Sequence, residues 1–200
     1  MRRVRAVLFD LDGVLIESFD AWLEVTRDAV RDLGDGRPVS REEFLARWGQ
    51  SVEADVARWF PARSVAEVDA YYQARFVTHA ARVAVDPQAA PLAAWLRARG
   101  VETAVVTNTP APIARRILAR AGIEIPVVVG GTDTPHGKPA PDPVLRALAL
   151  VGASAQGALM VGDTENDRGA ARAAGVRFVG LRMDCEERIE TLDALRALVG

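Results

Sequence analysis

The chain has 200 residues, 50% of them hydrophobic and 26% charged, enough apolar material for a buried core and too much for a disordered or fibrous polymer. A net charge of -2 with both signs interspersed gives neither the basic field of a nucleic-acid binder nor a polybasic anchor, so no nucleic-acid or membrane partner is expected. One cysteine, Cys185, permits neither an internal disulfide nor a cysteine-based zinc cage, which fits a reducing compartment and a packing role for that residue.

In chain order, residues 4–9 form a short apolar run that suits a buried parallel strand and is too short for a signal peptide or a membrane span. Cytoplasmic location is the resulting expectation. The run ends in Asp10-Leu11-Asp12-Gly13. From residue 19 to 85 no strand-like run follows, but several amphipathic helical patterns do. The first is Phe19–Leu33, closed by the loop Gly34-Asp35-Gly36-Arg37-Pro38. Ser40-Arg41-Glu42-Glu43 and Ser64-Val65-Ala66-Glu67 have capping-box spacing and open helices running to about Trp48 and Arg82. Trp22, Trp48 and Trp59 fall at helical spacing and read as core of this helical block. Apolar runs then recur at residues 103–106, 125–129, 158–161 and 177–181. Helical stretches alternate with them, opened by Pro91, Pro112 and Asp142-Pro143 and closed by Gly100, Gly122 and Gly152. The alternation predicts an α/β fold, a Rossmann-like parallel sheet flanked by crossover helices, with an all-helical domain inserted after the first strand. The expected division is residues 1–16 as first strand and catalytic loop, 17–85 as helical cap, and 86–200 as the rest of the core.

In such sheets the chemistry lies beyond the carboxyl ends of the strands, and those positions are polar here. The first run delivers Asp10 and Asp12, the run to Val106 delivers Thr107 and Asn108, and the run to Gly162 delivers Asp163-Thr164-Glu165-Asn166-Asp167. Lys138 follows the fourth region and is the sole lysine in a chain whose other basic residues are arginine. An ammonium kept among arginines implies a tight site that a guanidinium does not fit. Converging carboxylates need a cation, and an oxygen-only set without histidine or cysteine suits Mg²⁺ where phosphate also binds. A carboxylate can attack phosphorus, and a second one two residues on can protonate the leaving oxygen and later deprotonate water. Asp10 and Asp12 fit these two roles, with Thr107, Asn108 and Lys138 as ligands of the phosphoryl oxygens. Each piece alone has a plainer meaning: D-x-D-G as a turn, Thr107-Asn108 as a helix cap, Asp163 and Asp167 as helix-start charges. Four such signals in order at strand ends favour the shared chemistry. Residues 131–138 are not a Walker A loop, since Asp133 stands four places before Gly137 and Pro139 takes the Ser/Thr position, and Gly34-Asp35-Gly36 lacks the third glycine of a dinucleotide fingerprint.

On these residues the chain resembles the haloacid dehalogenase superfamily, in the branch with a helical C1-type cap. Asp10-Leu11-Asp12-Gly13-Val14-Leu15, Thr107-Asn108, Gly137-Lys138-Pro139-Ala140-Pro141-Asp142-Pro143 and Gly162-Asp163-Thr164-Glu165-Asn166-Asp167 stand in the family's motif order. The resemblance implies an aspartyl phosphate on Asp10, acid/base work by Asp12, and Mg²⁺ at a metal site made by Asp10, Asp12 through its backbone carbonyl, Asp163 and the supporting Asp167. Asp12 sets the chain apart from the family's dehalogenases. The absence of lysine from residues 19–85 excludes the phosphonatases, which form a Schiff base there, and ranks a β-phosphoglucomutase-type mutase second, with Arg47 substituting for the cap lysine. The pattern is most similar to phosphoglycolate phosphatase-like hydrolases acting on a small phosphorylated metabolite, with a non-catalytic binding domain as a third reading. Arg47 and Gln50, in Arg47-Trp48-Gly49-Gln50-Ser51, are the candidates for substrate selection, and His136 reads as an exposed loop residue. A monomer or a homodimer is expected.

Overall fold

The apolar runs become the strands of one sheet: β1 (Ala6–Phe9), β4 (Glu102–Val106), β5 (Val127–Val129), β6 (Ala158–Gly162) and β7 (Arg177–Leu181). A computed structural model describes residues 3–199 and extends this sheet with a two-residue edge strand, β8 (Arg188–Ile189), which no apolar run announces. The order is β5-β4-β1-β6-β7-β8, all pairs parallel, so β1 lies between β4 and β6. That neighbourhood brings the ends of β1, β4 and β6 side by side, although more than ninety residues separate β1 from β4 in sequence.

Strand alternation distributes side chains to two apolar layers. Val7, Phe9, Val105, Leu159 and Val161 join one cluster, which also takes Leu92 and Leu96 of α5 (Ala89–Ala98) and Ile113 and Ile117 of α6 (Ala111–Ala121). Ala6, Leu8, Ala104, Val106 and Met160 join the other, with Val144 and Leu148 of α7 (Asp142–Val151) and Ala170 and Ala171 of α8 (Glu165–Ala173). The sheet is therefore covered on both faces, as a parallel sheet requires. A short helix, α9 (Arg196–Val199), ends the described chain.

Within residues 19–79 the sequence forms four helices: α1 (Phe19–Leu33), α2 (Arg41–Leu45), α3 (Val52–Trp59) and α4 (Val65–His79). Both predicted serine caps accept the N3 backbone N–H, and Ser64 with Glu67 completes a capping box. Two predicted helix ends are corrected. The helix from Ser40 stops at Leu45, because the chain tightens into i to i+3 bonds from Arg47 N to Phe44 O and from Trp48 N to Leu45 O before Gly49 turns it at φ +79°. The apolar period misled because Phe44 and Trp48 still meet across that turn, ring centroids 5.8 Å apart. The helix from Ser64 stops at His79 and passes into a 3₁₀ turn at Ala80–Arg82. Helix α3, capped by Ser51, was not anticipated. The expectation of no strand in residues 19–85 is also corrected: β2 (Ile16–Glu17) pairs antiparallel with β3 (Ala84–Val85), tying together the two chain segments that enter and leave the helical block. Among the described residues no helix is long and apolar enough to cross a membrane.

Candidate active site

At the end of β1 the chain turns through residues 11–16, where Leu15 N and Ile16 N both donate to Leu11 O and Gly13 N donates to Ile16 O. Gly13 has φ +82°, and a Cβ there would lie 2.0 Å from Asp163 Oδ2, so glycine at this position is what lets the first and last acidic loops touch. Asp10, 6% exposed, is aimed at the same point as Lys138, 3% exposed, and Asp167, which is fully buried.

Lys138 Nζ lies 2.7 Å from Asp10 Oδ1, 2.5 Å from Asp167 Oδ1 and 2.8 Å from Val106 O. An ammonium has three donors, and all three are used, on acceptors from the ends of β1 and β4 and from the first turn of α8. A planar guanidinium in that buried space would not reproduce this tripod, which accounts physically for the single lysine. Burial alone would depress the Lys138 pKa, but the charges of Asp10 and Asp167 outweigh it and hold the ammonium above its usual range.

Oxygen atoms of Asp10, Asp163 and Asp167 lie within 4.8 Å of one another. Three carboxylates facing one ammonium leave two negative charges uncompensated. Burial, then the neighbouring Asp167 charge, pushes the Asp10 carboxyl well above the usual range against the pull of Lys138. Burial and Asp167 likewise raise Asp163, to about 7. Asp163 Oδ1 is buried without a hydrogen-bond partner. A buried, orphaned carboxylate oxygen in an all-oxygen donor set with a surplus of two charges fits a hard divalent cation.

The Asp12 carboxylate is not in that cluster. Four donors hold it instead: Ser18 Oγ and Trp22 Nε1 on Oδ1, the indole at 3.2 Å, and Thr107 Oγ1 and Thr109 Oγ1 on Oδ2 at 3.3 and 2.7 Å. Only its backbone carbonyl is left for the metal role implied by family resemblance. Asp167 is similarly committed, since its Oδ2 accepts from Thr164 N at 3.1 Å and Thr164 Oγ1 at 2.6 Å in the α8 capping box. Asp167 thus anchors Lys138 and stands beside Asp10 and Asp163.

Thr107 is buried at the end of β4, its hydroxyl on Asp12. Asn108 is placed differently from the phosphate-donor role expected of it. Its Oδ1 accepts from Lys138 N at 2.8 Å, and its Nδ2 donates to Lys138 O at 2.9 Å and to Gly49 O at 2.8 Å. Both ends of the amide are spent on holding the Lys138 loop and the α2–α3 turn. Asn166 Nδ2 also donates to Gly49 O, at 2.9 Å, so the chain's two asparagines grip one carbonyl. Arg47, Gln50 and Trp48 line a cavity of about 60 Å³ that they share with Asp10, Asp12 and Lys138. His136 is exposed, as read from the sequence, and Cys185 is half-buried with its thiol on Glu187 O.

Sequence reasoning missed Ser18, Trp22 and Thr109 as supports of Asp12. Trp22 is buried core, as its spacing indicated, yet its one polar atom serves the site. Ser18 occupies the N-cap of α1 but makes no cap bond, giving its hydroxyl to Asp12 instead; a capping residue that does not cap marks a second use.

A model of the haloacid dehalogenase-like hydrolases matches residues 4–175. A phosphoglycolate phosphatase of Pseudomonas putida is 31% identical over 220 residues, covering 98% of this chain and 78% of that protein. Another, of Rhodospirillum rubrum, is 34% identical over 189 residues, covering 88% of this chain and 78% of that protein. Among solved structures, CbbY of Rhodobacter sphaeroides in complex with phosphate superposes with a TM-score of 0.82 at 23% identity, covering 96% of each chain, a likeness of fold.

Proposed function

The chain belongs to the haloacid dehalogenase-like hydrolases as a phosphoric monoester hydrolase, and we propose that it cleaves the phosphomonoester of a small metabolite through an aspartyl phosphate on Asp10, with Mg²⁺ as its cation. The observation that carries this reading is the Lys138 tripod joining Asp10 to Asp167, with Asp163 beside them, Asp10 and Lys138 lining a cavity roofed by the helices between β2 and β3. Among the described residues, 17–85 serve as a cap, and 3–16 and 86–199 as the core beneath it.

Asp10 is the nucleophile. Lys138 fixes its Oδ1 and orients the carboxylate toward the cavity. As the Asp10 oxygen bonds to phosphorus, the bond from phosphorus to the ester oxygen breaks, and Asp12 gives that oxygen its proton. Asp12 then takes a proton from water as the water attacks phosphorus, which releases inorganic phosphate and returns the Asp10 carboxylate. The four donors around Asp12 hold its carboxylate in one orientation. Each threonine hydroxyl has one proton, so Thr107 or Thr109 would donate to a phosphoryl oxygen only on releasing Asp12, as it can when that carboxyl takes up a proton. A divalent cation on Asp10, Asp163 and the Asp12 carbonyl would supply the charge compensation that lets an anionic phosphoryl group approach this many carboxylates. The cap excludes bulk water from the acyl phosphate.

Hydrolysis of p-nitrophenyl phosphate tests the reading. We expect Mg²⁺-stimulated release that EDTA abolishes and that Asp10→Asn lowers by at least about 10³-fold. Release that ignores EDTA, or that persists in Asp10→Asn, contradicts it.

A further inference from the structure

Among the described residues, one other than glycine adopts a positive φ: Arg182, at +55°. A residue with a Cβ is crowded there by its own backbone, and such a conformation persists only where the surrounding structure enforces it. Arg182 directly follows β7, at the carboxyl end of the sheet where the acidic loops lie. Its N–H donates to Ile189 O at 2.9 Å, which ties the turned backbone to β8. Its side chain, exposed to solvent, makes one hydrogen bond among the described residues, from Nη2 to Gly13 O at 3.0 Å.

Gly13 is where the Asp12 loop touches Asp163. β6, whose end carries Asp163, lies between β1 and β7, so the contact from Arg182 to Gly13 joins the two chain segments that flank Asp163. Gly13, Asp163 and Arg182 also line one cavity, of about 540 Å³, which Asp10 and Lys138 do not line. With φ +82° and no Cβ, Gly13 has the most backbone freedom of any residue in its loop. Its N–H is tied to Ile16 O at 2.7 Å and its carbonyl to Arg182. These two bonds fix the peptide planes on both sides of Gly13, and the first of those planes carries the Asp12 carbonyl. A positive charge beside a cation site opposes the cation. What Arg182 can offer such a site is therefore geometry.

Resting on the cation reading above, the geometry points to Arg182 as a positioning residue: held in a strained backbone conformation, it locks Gly13 so that the Asp12 carbonyl and Asp163 are set to share one divalent cation.

Arg182→Ala and Arg182→Gly both remove the guanidinium, but alanine retains the strain at φ and glycine relieves it. The test is calorimetric titration of the metal-free proteins with Mg²⁺ at pH 8, with the melting temperature of the same metal-free samples. The dissociation constant is expected to rise about three- to tenfold in both variants, the worth of one hydrogen bond. Arg182→Gly is expected to melt about 2–4 °C above Arg182→Ala. The dissociation constant does not depend on the folded fraction, which the stoichiometry reports. Affinity that follows melting temperature, weakened in Arg182→Ala and restored in Arg182→Gly, shows a merely structural role and overturns the inference. An unchanged constant does the same, as does tighter binding in both variants, the sign that loss of a positive charge alone would give. A wild type that binds no Mg²⁺ overturns it together with the cation reading. Binding that weakens as expected in a protein that leaves p-nitrophenyl phosphate intact upholds it and strikes the phosphatase reading alone.

Discussion

Lys138 shows how much a single residue can state. Its rarity was visible in the sequence, and its motif placed it near the carboxylates; what no spacing contained is that Val106 O supplies the third acceptor, since that contact depends on how β4 lies beside β1. Asp12, read as both acid/base and metal ligand, divides in the structure: its carboxylate is fully engaged by hydroxyl and indole donors, away from the Asp10, Asp163 and Asp167 cluster. Removing the ammonium tests the tripod. Lys138→Met leaves Asp10 and Asp167 buried without their cation, and breaking such a pair costs about 3–5 kcal/mol. Urea denaturation of the metal-free protein at pH 7 should register a loss of this order, with a smaller loss at pH 4, where burial helps the Asp10 carboxyl keep its proton. An undiminished midpoint at pH 7 would mean that the pair contributes nothing to the fold.

At the level of elements, the strands were legible because a parallel sheet buries both faces and writes continuous apolar runs, as in β1 and β6, every residue of which is buried. The two-residue β2 and β3 were not, because Ile16 and Val85 pair across the whole helical block and neither stretch is long enough to show a period. Helix α3 escaped for a related reason: Ser51 caps it without the glutamate of a capping box. The α2–α3 turn gains its meaning from what grips it. Asn108 and Asn166 both hold Gly49 O, and Asn108 also holds Lys138, so docking of the turn and placement of the lysine share one amide. Losing one such bond is worth about 1–2 kcal/mol, or roughly 5–30-fold in an equilibrium. Asn166→Ala should therefore lower kcat/KM by about that factor, mainly through KM, while Asn108→Ala should reduce kcat as well, because it also frees the Lys138 loop. Steady-state kinetics that show the same split for both variants would sever the proposed link between turn and lysine.

Across the whole molecule, the sequence motifs identified the acidic loops and their order, but their meeting point is a property of sheet topology. Asp10 and Asp163 come within reach because β1 and β6 are neighbours and because Gly13 has no Cβ. Three carboxylates around one ammonium leave negative charge at this meeting point that a divalent cation would compensate. Burial holds Asp163 at about 7 against an ordinary carboxyl value of 3.8. A folded-state pKa raised in this way makes its contribution to stability fully present below the unfolded value and lost as pH rises through the folded one, here from about pH 4 to about pH 7. The metal-free protein should melt lower at pH 8 than at pH 5 for this reason, and the cation should restore most where the carboxylates are ionised. The direct measurement is the melting temperature with and without Mg²⁺ at both pH values, for the wild type and for Asp163→Asn. At about 100 times its dissociation constant a ligand adds about 2.7 kcal/mol, roughly 5–10 °C for a chain of this size. We expect a rise of that order at pH 8, a much smaller one at pH 5, and almost none in Asp163→Asn. An absent rise at pH 8, or one that Asp163→Asn leaves intact, contradicts this.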